Sequence, residues 1–223
     1  MDNENPLSEL DVGNYLKAHP QFFEQHAELL TEMYLPSPHG SGTVSLAERQ
    51  QLLQRDRIRV LEAKMADFLK FGEENDVTSE KVHRLCLGLL ASQNLEVLVQ
   101  ILTHTLREDF QVPYVGLRLW ADPVNQLDRE QPIFEAVAED LRNWADGLLT
   151  PYCGHRPSLE MDSWFGENAN PKSFALVALR SEKVFGLLAM AADDEQRFYP
   201  EMGTLFLKRI GELVSAALLR YIE

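Results

Sequence analysis

Apolar residues in the first 35 positions recur at helical spacing. Val12, Tyr15 and Leu16 form one apolar edge, and Phe22, Phe23, His26, Leu29, Leu30 and Met33 form a second. Two helices are predicted there. Ser8 with Asp11 three residues on resembles a capping box, with Asp in place of the usual Glu, and Pro20 suits the first turn of the second helix. Pro36, Pro38, Gly40 and Gly42 then break the pattern and mark a linker.

Ser45-Leu46-Ala47-Glu48 is a full capping box, so a long helix is expected to start there and run to about Ala91. Ile58, Leu61, Met65 and Phe68 alternate by three and four, the spacing of a coiled-coil seam, and the register resumes at Val82, Cys86 and Leu89. Gly72, Asn75 and Ser79 interrupt it. A buried Asn can fix the register of a pair. The alternative is a kink or an end at Gly72, because glycine costs about 1 kcal/mol relative to alanine in a helix interior.

Asn94 is the expected cap of a helix over 95–109 that turns Leu95, Leu98, Val99, Leu102 and Leu106 inward. From Tyr114 to Trp120 the period switches to two. Val115, Leu117 and Leu119 share one strand face; Tyr114, Gly116, Arg118 and Trp120 share the other. A second strand is predicted over Ile133 to Ala138, a short helix over Leu141 to Leu149, and a loop-rich segment over 150–172. Ser173 to Arg180 and Val184 to Ala192, joined by Ser181-Glu182-Lys183, form a hairpin. A last helix opened by Pro200 is expected to bury Phe206, Ile210, Leu213, Ala217 and Tyr221.

A chain of 223 residues buries roughly 70% of its unfolded surface, enough for a substantial core. Its 45% apolar and 25% charged residues are those of a globular protein. A net charge of −14 repels phosphate backbones, so no nucleic-acid partner is expected. Arg49, Arg55, Arg57 and Arg59 make a local basic stripe, but Asp56 and Glu62 sit in or beside it, which suits a solvated or interhelical face. The acidic start is not a secretory signal, and no apolar run approaches the roughly 20 residues of a membrane helix. Two cysteines are too few for a disulfide framework, and the cytoplasm is the expected compartment, with no membrane contact.

Five stretches carry a family resemblance: His19-Pro20-Gln21-Phe22-Phe23, Leu35-Pro36, Val44-Ser45-Leu46-Ala47-Glu48-Arg49-Gln50, Pro151-Tyr152-Cys153-Gly154 and Arg197-Phe198-Tyr199-Pro200-Glu201-Met202-Gly203-Thr204. On these the chain resembles the bacterial family called domain of unknown function 484, whose C-terminal part looks like a GAF domain. The resemblance implies an α+β fold: an N-terminal helical extension and a long helix, followed by a GAF-like domain with an antiparallel sheet, helices packed on one face and a ligand-type cavity on the other. It implies no reaction. The expected divisions are 1–44, a helical segment and linker; 45–91, a connecting and dimerisation helix; and 92–223, the GAF-like domain. The Asn-Lys-x-x-x-Phe-x-x-x-Asp-Glu motif of cyclic-nucleotide-binding GAF domains is absent.

No phosphate-binding loop, dinucleotide fingerprint or H-E-x-x-H motif is present. His19 and His26 share a helical face without a third ligand nearby, where zinc needs three or four. Asp193, Asp194 and Glu195 are read as a solvated turn rather than a cation site. Arg118, beside Tyr114 and Trp120, suits a planar or anionic ligand. The resemblance places Tyr152 and Cys153 beside the cavity, with His155 and Arg156 close enough in sequence to activate the thiol. Methionine-sulfoxide reduction, which some GAF domains perform with loop cysteines, needs a resolving thiol, and Cys86 sits on an apolar helical stripe. The expected ligand site is therefore Arg118, Trp120, Tyr152 and Cys153, with no catalytic residue, no metal and no identified cofactor. The expected function is a non-enzymatic sensory module that binds a small molecule and pairs through the 45–91 helix. Its N-terminal helices would dock on a partner protein or across the dimer. The alternative is a structural adaptor whose cavity is filled.

Overall fold

Ser8 does start a helix. Its hydroxyl accepts from Asp11 N at 3.2 Å, and the Asp11 carboxylate accepts from Ser8 N at 3.1 Å. The Ser8 hydroxyl also donates to the Asp11 carboxylate at 2.6 Å, and this bond, together with the one from Ser8 N, holds the exposed Asp11 carboxyl below its ordinary value. The computed structural model describes residues 8–36, 43–157, 159, 161–166 and 169–223. The chain divides into two units, with the boundary between Gly72 and Glu73.

The first unit contains α1 (Glu9–Ala18), α2 (Phe22–Gln25), α3 (Leu29–Glu32) and the antiparallel pair β1 (Tyr34–Pro36) and β2 (Thr43–Ser45). The expected linker thus supplies hairpin arms: Pro36 pairs with Thr43, while Pro38, Gly40 and Gly42 lie outside the described residues. The Ser45 side chain, the expected cap, also lies outside them. His19 closes α1 by stacking on Tyr15 at 4.3 Å, with its ring Nδ1 3.0 Å from the Tyr15 carbonyl oxygen. Leu46 N donates to Met33 O at 3.1 Å where α4 (Leu46–Ala91) begins. Gly72 does not end α4, which runs unbroken for 46 residues.

In the second unit Asn94 caps α5 (Leu95–Glu108), its side-chain oxygen accepting from Val97 N at 2.9 Å. The sheet follows: β3 (Tyr114–Leu119), then α6 (Glu139–Asp146), β4 (Tyr152–Gly154), β5 (Ser173–Arg180), β6 (Val184–Ala192) and finally α7 (Leu205–Leu218). The strand order is β3-β6-β5-β4, and every pairing is antiparallel. Strand alternation divides the core. Val115, Leu117, Val177, Leu179, Leu188 and Met190 pack with Leu85, Leu89 and the inner faces of α5 and α7. Phe174, Leu176, Leu187, Ala189 and Ala191 form the other face, under α6 and Met161.

Two expectations change. Ile133 to Ala138 is not a strand: Pro132 opens a tight turn, and Phe134 N and Glu135 N bond back to Gln131 and Pro132 carbonyls. Proline has no N–H for a ladder and presets φ for such a turn. The loop-rich 150–172 segment also contributes the three-residue edge strand β4. The last helix begins at Leu205, not at Pro200, because Glu201 takes a left-handed φ of 71° and Met202 N bonds back to Tyr199 O. Its buried residues are Leu207, Ile210, Val214, Ala217 and Leu218, with Phe206, Leu213 and Tyr221 half-buried beside them.

Candidate functional site

Arg118 projects from β3 to the α6 side of the sheet but is 7% exposed. Nη1 donates to Leu117 O at 3.0 Å, and Nη2 donates to the Glu135 carboxylate at 2.8 Å. The guanidinium lies 5.2 Å from the Trp164 ring. Trp164 in turn occupies the space above Gly116, where a Cβ would come within 3.1 Å of its own Cβ. The Trp120 indole N–H donates to Val184 O at 2.9 Å. The partners expected of a ligand are supplied by the chain.

Tyr152 sits on the same sheet face but on the opposite edge strand. Two strands separate β3 from β4, so Arg118 and Tyr152 stand about 14 Å apart across the sheet. Tyr152 donates its hydroxyl to His155 O at 2.8 Å and meets Trp144 edge-on at 5.8 Å. One opening on this face, among the described residues, lies beside Met161, Phe165 and Phe174 and is about 10 Å³, at the limit for one water. Among the described residues Met161, Trp164 and Phe165 pack against the sheet face on which the family resemblance implied a cavity.

Cys153 alternates to the other face and packs against the helix-side core. Burial pushes its thiol up to about 11, the opposite of an activated nucleophile. Cys86 is likewise a free, half-buried thiol. The acidic turn is engaged: Tyr114 donates to Asp193 at 3.0 Å, Gln196 N donates to Asp194 at 2.9 Å, and Glu195 lies 4.0 Å from Lys172. Among the described residues no three His, Cys, Asp or Glu converge to hold a metal. No described helix is long and apolar enough to cross a membrane.

The other candidate surface is α4. Ile58, Leu61, Met65, Phe68 and Leu69 are each more than half exposed in the first unit. Leu69 extends the stripe beyond the residues that strict heptad spacing selects. In the second unit Val82 and Leu89, which that spacing assigned to the seam, are buried in the domain's own core. A straight helix drifts about 20° per heptad from a 3.5-residue repeat, which carries the register away from the seam.

A four-stranded antiparallel sheet with helices across one face defines the second unit as a small α+β domain. Among solved structures the chain is similar to the GAF domain of Acinetobacter phosphoenolpyruvate-protein phosphotransferase. That match has 14% identity and a TM-score of 0.46, covering 63% of this chain and 92% of that one. It is also similar to the GAF domain of a phosphoenolpyruvate-protein phosphotransferase from Coxiella burnetii, with 12% identity, a TM-score of 0.48, and 64% and 93% covered. The chain belongs to the family "Protein of unknown function, DUF484", whose model matches residues 3–223. Curated relatives include "Uncharacterized protein YigA" of Salmonella typhimurium, 28% identical over 228 residues, covering 99% of this chain and 96% of that protein. The Escherichia coli protein of the same description is 27% identical over 229 residues with the same coverage.

Proposed function

We propose that the chain is a regulatory interaction module without catalysis of its own, which pairs with a second copy through α4. Its Arg118 face stays closed to ligands. The observation that carries this reading is the stripe Ile58, Leu61, Met65, Phe68 and Leu69, exposed along a helix that continues to Ala91. Burying one such side chain fully is worth about 1.5–3 kcal/mol, and a second α4 offers the matching stripe. A small molecule on the sheet face would have to displace Trp164 and strip Arg118 of Glu135. The N-terminal helices carry the contact to a partner protein: Val12, Tyr15, Phe22, Phe23 and Met33 line an apolar groove of about 650 Å³. Two free thiols suit a reducing compartment such as the cytoplasm. A net charge of −14 disfavours nucleic acid as the partner.

Hydrogen exchange tests the pairing. Amides over 58–69 exchange slowly at micromolar protein and faster on dilution, because dissociation exposes them. Fast exchange at every concentration would remove the reading.

A further inference from the structure

We propose that the second unit binds an aromatic carboxylate in a groove on the helix-packed side of the sheet, away from the Arg118 face. The groove holds about 540 Å³, within the range of small-molecule sites. Its floor is core: Met190, Leu207 and Ile210. Its walls bring together three segments distant in sequence. Thr78 and Lys81 come from α4, Phe110 and Gln111 from the turn after α5, and Arg197, Phe198, Tyr199, Met202 and Gly203 from the turn before α7.

Two features choose the ligand class. The first is aromatic: Phe110, Phe198, Tyr199 and Phe206 all line the groove and offer edges and faces to a planar ring. The second is charge. Lys81 Nζ stands 5.9 Å from the Phe110 ring centre, and Arg197 donates one N–H to the Phe110 carbonyl oxygen. Phe110 thereby draws two cations to one place, and its carbonyl fixes the guanidinium while leaving other donors for an anion. Neither cation has a carboxylate partner among the described residues, in a chain with 35 acidic and 21 basic residues. Glu74, which also lines the groove, already has a partner of its own.

The backbone agrees with this placement. Among the described residues the non-glycine positions at left-handed φ are Gln111 and Glu201, and they lie in the two turns that build the groove. Such conformations are costly and gather at binding sites. The groove also takes up Arg197, Phe198 and Tyr199 of a family stretch that the Arg118 face leaves unused. The site lies wholly in the second unit, so it does not depend on α4 pairing.

The test is a calorimetric titration of the full chain with 2-naphthoate, alongside the neutral 2-naphthalenemethanol of the same ring. The acid binds saturably and the alcohol at least tenfold more weakly. Lys81→Met and Arg197→Gln each weaken the acid about tenfold, the worth of one charge-assisted hydrogen bond, while Lys81→Arg retains it. Phe22→Ala, in the N-terminal groove, leaves it unchanged. Equal affinity for acid and alcohol would overturn the proposal. So would no saturable binding below millimolar, or indifference to Lys81→Met. Lys81 stands on the rim, so Lys81→Met remains decisive where Arg197→Gln unfolds.

Discussion

Arg118 shows how spacing can place a residue correctly and leave its partners unread. Strand alternation placed it on the same face as Tyr114 and Trp120, as observed. What the spacing lacked was Glu135, 17 residues on in a segment read as strand, and Trp164 in a segment read as loop-rich. Those partners make Arg118 part of the packing. Arg118→Ala is therefore expected to lower unfolding free energy by roughly 2 kcal/mol, since stem packing and ring contact vanish together. Glu135→Gln costs no more than about 1 kcal/mol because the carboxylate is largely exposed. Urea midpoints decide it; an Arg118→Ala variant of undiminished stability would return Arg118 to the candidate ligand site. Cys153 behaves as a core thiol. Its pKa rises from 9.0 to about 11 through burial, so the folded state holds the proton longer than the unfolded one. Stability then falls as pH rises from 9 towards 11. Alkylation at pH 8 runs on the order of a hundredfold slower than for a free thiol; a free-thiol rate would contradict the burial.

Among the elements, α7 is held to the sheet by a missing side chain. A Cβ on Gly211 would come 2.4 Å from Val177 Cγ1. Gly211→Ala is expected to cost about 1–3 kcal/mol by overpacking, and Val177→Ala in the same chain to recover part of it, a coupling that a double-mutant cycle reads directly. Equal costs with and without Val177 would show that the helix sits elsewhere. Elements were legible where local chemistry fixed them: the Ser8 and Asn94 caps, the β5–β6 hairpin, and the period-two run of β3. Pro200 misled because proline is equally suited to a turn, and the left-handed Glu201 that delays the helix leaves no mark in the residue pattern. The three-residue β4 is too short to show a period at all. Of Lys81, Phe110 and Arg197 in the groove only Arg197 stood out, in a family stretch; Lys81 and Phe110 left no mark in the spacing, because only tertiary folding brings α4 and the two turns together.

At the scale of the whole molecule the chain buries apolar surface well on both faces of its sheet and poorly along the first part of α4. Exposed stripes of this kind mark partner surfaces rather than monomer surfaces. The choice between seam and core along α4 could not be read from spacing, because Phe68 and Leu89 fall in one heptad register yet end in solvent and in core. The mass in solution by light scattering at micromolar concentration tests the account most directly. The native chain is predicted to weigh twice its sequence mass, and the variant carrying Leu61→Glu and Phe68→Glu to weigh once, with its circular dichroism retained. A native chain that weighs once, or a doubled mass untouched by both substitutions, would contradict pairing through α4.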